Sequence, residues 1–85
     1  MSAKDMFEEL GYELVKDTKS QNIMNWEIIY ETKIDYFGRK AQFRFDEDSI
    51  YAQLYEDDKK IGGCFIGKEQ LKAINKQIEE LGWNK

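Results

Sequence analysis

The chain has 85 residues, a formal net charge of −4, 41% apolar residues and 12 aromatics, enough for one domain with its own core. The single cysteine excludes an internal disulfide and a thiolate metal cluster. The lack of histidine excludes His-based hydrolytic triads and removes the commonest metal ligand.

In chain order, Ser2 followed by Asp5 forms a capping box, which predicts a short helix over Ala3–Leu10 with Met6, Phe7 and Leu10 on one stripe. It ends in Glu8-Glu9-Leu10-Gly11-Tyr12, where Gly11 suits the left-handed stop and Tyr12 can fold back on Phe7. A short strand, Tyr12–Lys16, leads into a polar turn over Asp17–Asn22. Met24–Ile34 alternates, with Met24, Trp26, Ile28, Tyr30 and Thr32 on one face and Asn25, Glu27, Ile29 and Glu31 on the other. After a turn at Asp35–Gly38, the strand Arg39–Phe45 places Ala41, Phe43 and Phe45 together. The turn Asp46–Ser49 leads to Ile50–Tyr55, with Ile50, Ala52 and Leu54 inward. A turn over Glu56–Lys60 precedes a glycine-interrupted strand at Ile61–Ile66. Gly67 caps a second helix, Lys68–Leu81, on which Leu71, Ile74, Ile78 and Leu81 follow the helical period. It ends in Glu79-Glu80-Leu81-Gly82-Trp83, the first stop repeated. The expected fold is α+β, in the order α-β-β-β-β-β-α. An antiparallel meander carries both helices on one face, and residues 1–85 make a single domain.

Charge is unevenly placed. Residues 46–58 hold Asp46, Glu47, Asp48, Glu56, Asp57 and Asp58 with no Lys or Arg, so the rest of the chain is net positive. Such an acidic chain is ill suited to gripping phosphate backbones over a broad surface. A calcium loop starting at Asp46 would need Gly and Glu where Tyr51 and Asp57 stand, so no metal site is expected. Gly62-Gly63 lacks the spacing of a phosphate-binding loop, and no cofactor is expected. Glu8, Glu9, Glu79 and Glu80 oppose the helix dipole; with the acidic turns they would form one anionic surface if all shared a side. Cys64 reads as a small buried residue, or as a reactive thiol if the nearby helix start lowers its pKa.

The outward row of the sheet is the leading binding candidate. Ile29, Gln42, Arg44, Tyr51, Gln53 and Tyr55 combine Tyr and Arg with an exposed Ile, the composition of an interface hot spot. The bland alternative is that Tyr simply suits strands. The acidic turns at Asp46–Asp48 and Glu56–Asp58 are the second candidate, for docking a basic partner.

Met6-Phe7-Glu8-Glu9-Leu10-Gly11-Tyr12 and the stretch Leu71–Trp83 (Leu-Lys-Ala-Ile-Asn-Lys-Gln-Ile-Glu-Glu-Leu-Gly-Trp) resemble the termini of small, functionally unassigned proteins of phages and prophages of Gram-positive bacteria. The resemblance covers about twenty terminal residues and brings no catalytic or binding residues with it. It implies a protein made in a bacterial cytoplasm from a phage accessory region. Small acidic proteins of such regions are often inhibitors of host defence, including anti-CRISPR proteins. The N-terminus lacks a signal-peptide stretch, which adds to the expectation of a cytoplasmic protein without a membrane role. The resulting expectation is a non-catalytic protein that blocks a host bacterial protein. A homodimer is a further option, and a binder of a nucleotide-like signal or of single-stranded nucleic acid are the alternatives.

Overall fold

The computed structural model describes residues 1–21 and 24–83, so Asn22, at the end of the expected polar turn, lies outside the described residues. Helix α1 spans Ala3–Glu9, strands β1 to β5 span Tyr12–Asp17, Ile28–Thr32, Arg39–Phe45, Ile50–Glu56 and Lys59–Gly63, and helix α2 spans Lys68–Leu81. A single 3-10 turn, Lys19–Gln21, follows β1. The five strands pair antiparallel in sequence order, the meander expected from the period-two pattern. Both helices lie on one face. Among the described residues no helix is long and apolar enough to cross a membrane.

The helix ends follow from their capping residues. Ser2 Oγ accepts from the Asp5 amide at 3.1 Å while Asp5 accepts from the Ser2 amide at 3.2 Å. That reciprocal box holds the Asp5 carboxyl below its usual pKa, first through the Ser2 backbone hydrogen bond and then through the Ser2 hydroxyl. At the far end of α2, Gly82 is left-handed (φ 77°) and the Trp83 amide donates back to the Ile78 carbonyl, as a Schellman stop requires. One of the glutamates that opposes the dipole of its own helix serves the other helix. Glu80 Oε2 accepts from the Ala3 amide at 2.7 Å and places its charge at the N-terminus of α1, where the dipole favours it. Glu8 and Glu79 lie near Lys4 and Lys76, 4.0 and 3.6 Å away.

The core is aromatic. Phe7 of α1 is fully buried and stacks on Tyr30 of β2, with ring centroids 4.1 Å apart and planes at 19°. Tyr12, Phe43 and Phe45 surround the same ring at 5.8, 5.7 and 6.1 Å. Tyr12 therefore does fold back onto Phe7. From α2 the buried residues are Ala73, Ile74 and Gln77. Gln77 is in the core because its Oε1 accepts from the Tyr30 hydroxyl at 2.7 Å, which satisfies both buried polar groups. Leu71, expected on the inward stripe, is 49% exposed because the helix presents the Ala73–Gln77 side to the sheet.

Two strands start elsewhere than the alternation implies. β2 begins at Ile28 rather than Met24, because Asn25 takes a left-handed conformation (φ 58°) that extended chain cannot continue through. Met24 is 85% exposed as a result. β5 begins at Lys59 rather than Ile61, because Asp57 and Asp58 both have positive φ (50° and 66°). They close a two-residue hairpin of the type whose twist matches its strands. The strand ends at Gly63, short of the expected Ile66. Both edge strands carry a bulge, at Val15 in β1 and Ile61 in β5, where one extra residue interrupts the register.

The Phe7 stack sets the first prediction. Phe7→Ala should destabilise the fold by about 3–5 kcal/mol in urea denaturation, the cost of emptying a fully buried aromatic site. The Tyr30–Gln77 pair sets the second. Tyr30→Phe should cost about 1–3 kcal/mol by leaving Gln77 unpaired in the core, and Gln77→Leu added to it should recover most of that loss.

Candidate functional site

Among the described residues no helix covers the outer face of the sheet, which carries Glu31, Gln42, Arg44, Tyr51, Gln53 and Tyr55 on β2, β3 and β4. Antiparallel register puts Gln42 opposite Gln53, and Arg44 opposite both Tyr51 and Ile29. The structure brings these residues together and divides them into two halves of different character.

The half toward Tyr55 is internally satisfied. Gln42 and Gln53 are buried despite facing outward, 8% and 7% exposed. The Tyr55 hydroxyl lies 2.8 Å from Gln53 Oε1 and 3.4 Å from Gln42 Oε1, and Gln42 Nε2 donates to Glu31 Oε2 at 2.7 Å. Lys40 completes the network through Glu31 Oε1 at 3.3 Å. These side chains spend their polar capacity on one another, which makes this half a rigid platform.

The half toward Tyr51 is open. The Arg44 guanidinium lies over the Tyr51 ring, 4.3 Å from its centroid, and Nη1 lies 3.7 Å from Glu27 Oε2. Its buried Nε has no hydrogen-bond partner. Beside it, an open cavity of about 360 Å³ is lined by Trp26, Glu27 and Arg44 together with Asp46, Glu47 and Asp48 of the β3–β4 turn. The turn is shaped by Asp46, whose Oδ1 accepts from the Asp48 and Ser49 amides at 3.1 and 2.8 Å. Glu47 ties the turn to the segment before β2 by accepting from the Asn25 amide at 3.0 Å. Aromatic, cationic and anionic groups therefore meet in one concavity.

The acidic turns do not form one surface. Asp46–Ser49 enters β4 and Asp57–Asp58 leaves it, so the seven residues of β4 hold them about 20 Å apart. Glu56 lies beside Arg39 at 3.6 Å, and Asp57 packs on Gly38, where an added Cβ would sit 2.5 Å from Asp57 Oδ1. No family model, curated protein or solved structure matches the chain.

Trp26 packs against the core as its inward placement implied, but sequence reasoning did not connect it with Arg44 or the β3–β4 turn. The signal was Asn25, a residue tolerant of left-handed backbone at the point where the strand pattern stops. Among the described residues no three acidic or cysteine side chains converge as a metal ion would require. Burial pushes the half-buried Cys64 thiol up, away from the thiolate that nucleophilic work needs.

Burial also raises the phenols of Tyr12 and Tyr30, with the Cys64 charge adding to Tyr12 and Glu80, Asp17 and Glu8 adding to Tyr30. A folded-state pKa above the ordinary value of 10.0 means that the fold holds the neutral phenol. That stabilisation is complete below pH 10 and declines as pH rises beyond it. In a spectrophotometric alkaline titration, both phenols should ionise above their ordinary range, together with loss of near-UV circular dichroism. Tyr30→Phe should flatten the alkaline fall in stability.

Proposed function

We propose that this chain is a non-catalytic binding protein that engages a macromolecular partner through the Tyr51 half of the outer face and the adjoining β3–β4 turn. The partner surface that fits is basic. The observation that carries this reading is the convergence of Trp26, Arg44 and three turn carboxylates around one cavity, with Arg44 stacked on the adjoining Tyr51, beside a platform whose polar groups are already satisfied. Trp, Tyr and Arg are the side chains that dominate interface energetics, and groups already held in place lose little freedom on binding. The local excess of acid steers a basic surface toward them.

The resemblance of the chain's ends to small phage and prophage proteins supports a setting in which the partner is a host bacterial protein. In that setting the mechanism is steric and electrostatic blocking of a defence component, such as a CRISPR effector. The raised Cys64 thiol and the lack of histidine support a role in binding rather than chemistry.

The test is affinity purification from a nuclease-treated bacterial lysate. The wild-type chain should retain a protein in a salt-sensitive manner. Glu47→Lys with Asp48→Lys, or Tyr51→Ala, should reduce its recovery about tenfold or more, while Asp57→Asn with Asp58→Asn at the far end should not. Equal recovery by all variants would sink the assignment of this surface.

A further inference from the structure

A second concavity lies at the opposite end of the sheet, on the helix-bearing side but beyond the reach of either helix. Its volume is about 440 Å³, and Thr32, Ala41 and Leu54 form its floor, one from each of three neighbouring strands. No helix residue lines it, which leaves Ala41 and Leu54 only half-buried among the inward positions of their strands. The rim carries charges that are already matched. Arg39 lies beside Glu56 at 3.6 Å, and Lys40 reaches Glu31 on the outer face at 3.3 Å. The remaining charges of the lining, Lys33 and Asp35, sum to zero. The hollow therefore selects its occupant by shape and apolar character rather than by charge.

Beside the hollow stands a projection. Asp35 Oδ1 accepts from the amides of Phe37 and Arg39 at 2.8 and 2.9 Å. The same turn is closed by the Asp35 amide donating to the Arg39 carbonyl and the Gly38 amide donating to the Asp35 carbonyl. This hydrogen-bonded turn carries three large apolar side chains into solvent: Ile34 is 64% exposed, Tyr36 95% and Phe37 65%. Tyr36 and Phe37 meet edge to face at 5.4 Å, and the Arg39 guanidinium lies 5.5 Å from the Phe37 ring. At about 150–250 Å² for an aromatic side chain, the two rings present on the order of 300 Å² of apolar surface to water.

We propose that this end of the sheet is the contact surface of a homodimer, in which the Tyr36–Phe37 pair of each copy seats in the Thr32–Ala41–Leu54 hollow of the other. Projection and hollow adjoin on one surface, as a two-fold contact requires, because each copy then offers the same patch and fills its counterpart. The area is of the right order. Two aromatic pairs contribute roughly 600 Å², about half of what the smaller stable interfaces bury, and Ile34, the floors and the rims supply the remainder. Charge agrees as well. Lys33 precedes the turn on one flank, and Asp57 and Asp58 lie on the other, where the Asp57 amide donates to the Gly38 carbonyl. Among the described residues none of these three side chains forms an ion pair. A two-fold axis through the turn exchanges its flanks, which brings Lys33 of each copy toward the two carboxylates of the other. The acidic turn Asp46–Ser49 stays at the far end of β4, away from its like. This contact is distinct from the acidic cavity and does not depend on it.

The test is analytical sedimentation of the full chain over a wide concentration range, with circular dichroism of each variant. The wild type should show a monomer–dimer equilibrium, and Tyr36→Ala with Phe37→Ala should weaken it about tenfold or more at unchanged circular dichroism. Lys33→Glu should weaken it about threefold or more. Adding Asp57→Asn with Asp58→Asn to that variant should recover part of the loss, because the like charges it sets face to face are removed. Glu47→Lys with Asp48→Lys should dimerise at least as well as wild type, so the acidic cavity and this contact are tested separately. The proposal is overturned if the chain stays monomeric into the millimolar range, if a dimer forms that the Tyr36–Phe37 variant leaves intact, or if the Lys33 and Asp57–Asp58 substitutions act additively. It is also overturned if the two rings serve instead to hold a monomer on anionic lipid vesicles or on a protein from a lysate.

Discussion

The stack of Phe7 on Tyr30 is the contact through which the two helices and the sheet become one object. Helix α1 has only seven residues, fewer than an isolated helix needs in water, so its order depends on what its buried face touches. Phe7 supplies that face, with four aromatic rings around it from β1, β2 and β3. Tyr30, below it, passes the connection to α2 through Gln77, and α2 returns it to α1 through Glu80 and the Ala3 amide. The circuit is closed. Each polar link in it either satisfies a buried group or completes a helix end, so apolar packing and polar pairing specify the same arrangement.

That arrangement uses one side of the sheet and leaves the other bare. Such a face is workable because β3 and β4 fill it with long side chains that hydrogen-bond across the strands, and even Gln42 and Gln53 are buried there. A concavity sits where this order runs out, at the end of the sheet nearest the β3–β4 turn, and gathers acid around Trp26. The edges are managed as well. Val15 and Ile61 interrupt the register of β1 and β5, and Lys16, Lys59 and Lys60 charge the same strands, so neither edge offers a flat template for another chain.

Much of the frame was legible from local chemistry. Ser2 with Asp5, Gly67 and Gly82 marked helix ends because capping depends on a few neighbouring residues. The inward set on β3 and β4 followed from strict alternation. Asn25 was harder, because it tolerates positive φ without requiring it, and the alternation of Met24–Ile34 runs through it unbroken on paper; Asp57 and Asp58 were legible as part of a turn, but that turn, Glu56–Lys60, was drawn longer than the two-residue hairpin that forms. Gln77 could not be placed in the core from sequence, since a glutamine becomes a core residue only when a phenol comes from another element to meet it. The cavity around Trp26 was illegible for the same reason. It joins a segment before β2 to a turn twenty residues later, and the Glu47–Asn25 hydrogen bond that holds them is tertiary. The acidic turns, adjacent in sequence on either side of β4, read as one patch only until the length of that strand is taken into account.

The contact between Glu80 and the Ala3 amide also bears on the order in which the molecule can form during synthesis. A nascent chain can assemble the meander as its hairpins emerge, because each strand pairs with the one just made. The first helix is in a different position: the carboxylate that completes its leading end is nearly the last part of the described chain to leave the ribosome. Until then α1 lacks both that charge and the α2 surface beside it. Completion of α1 therefore waits on an element 77 residues further along the chain, rather than on the strands that follow it directly.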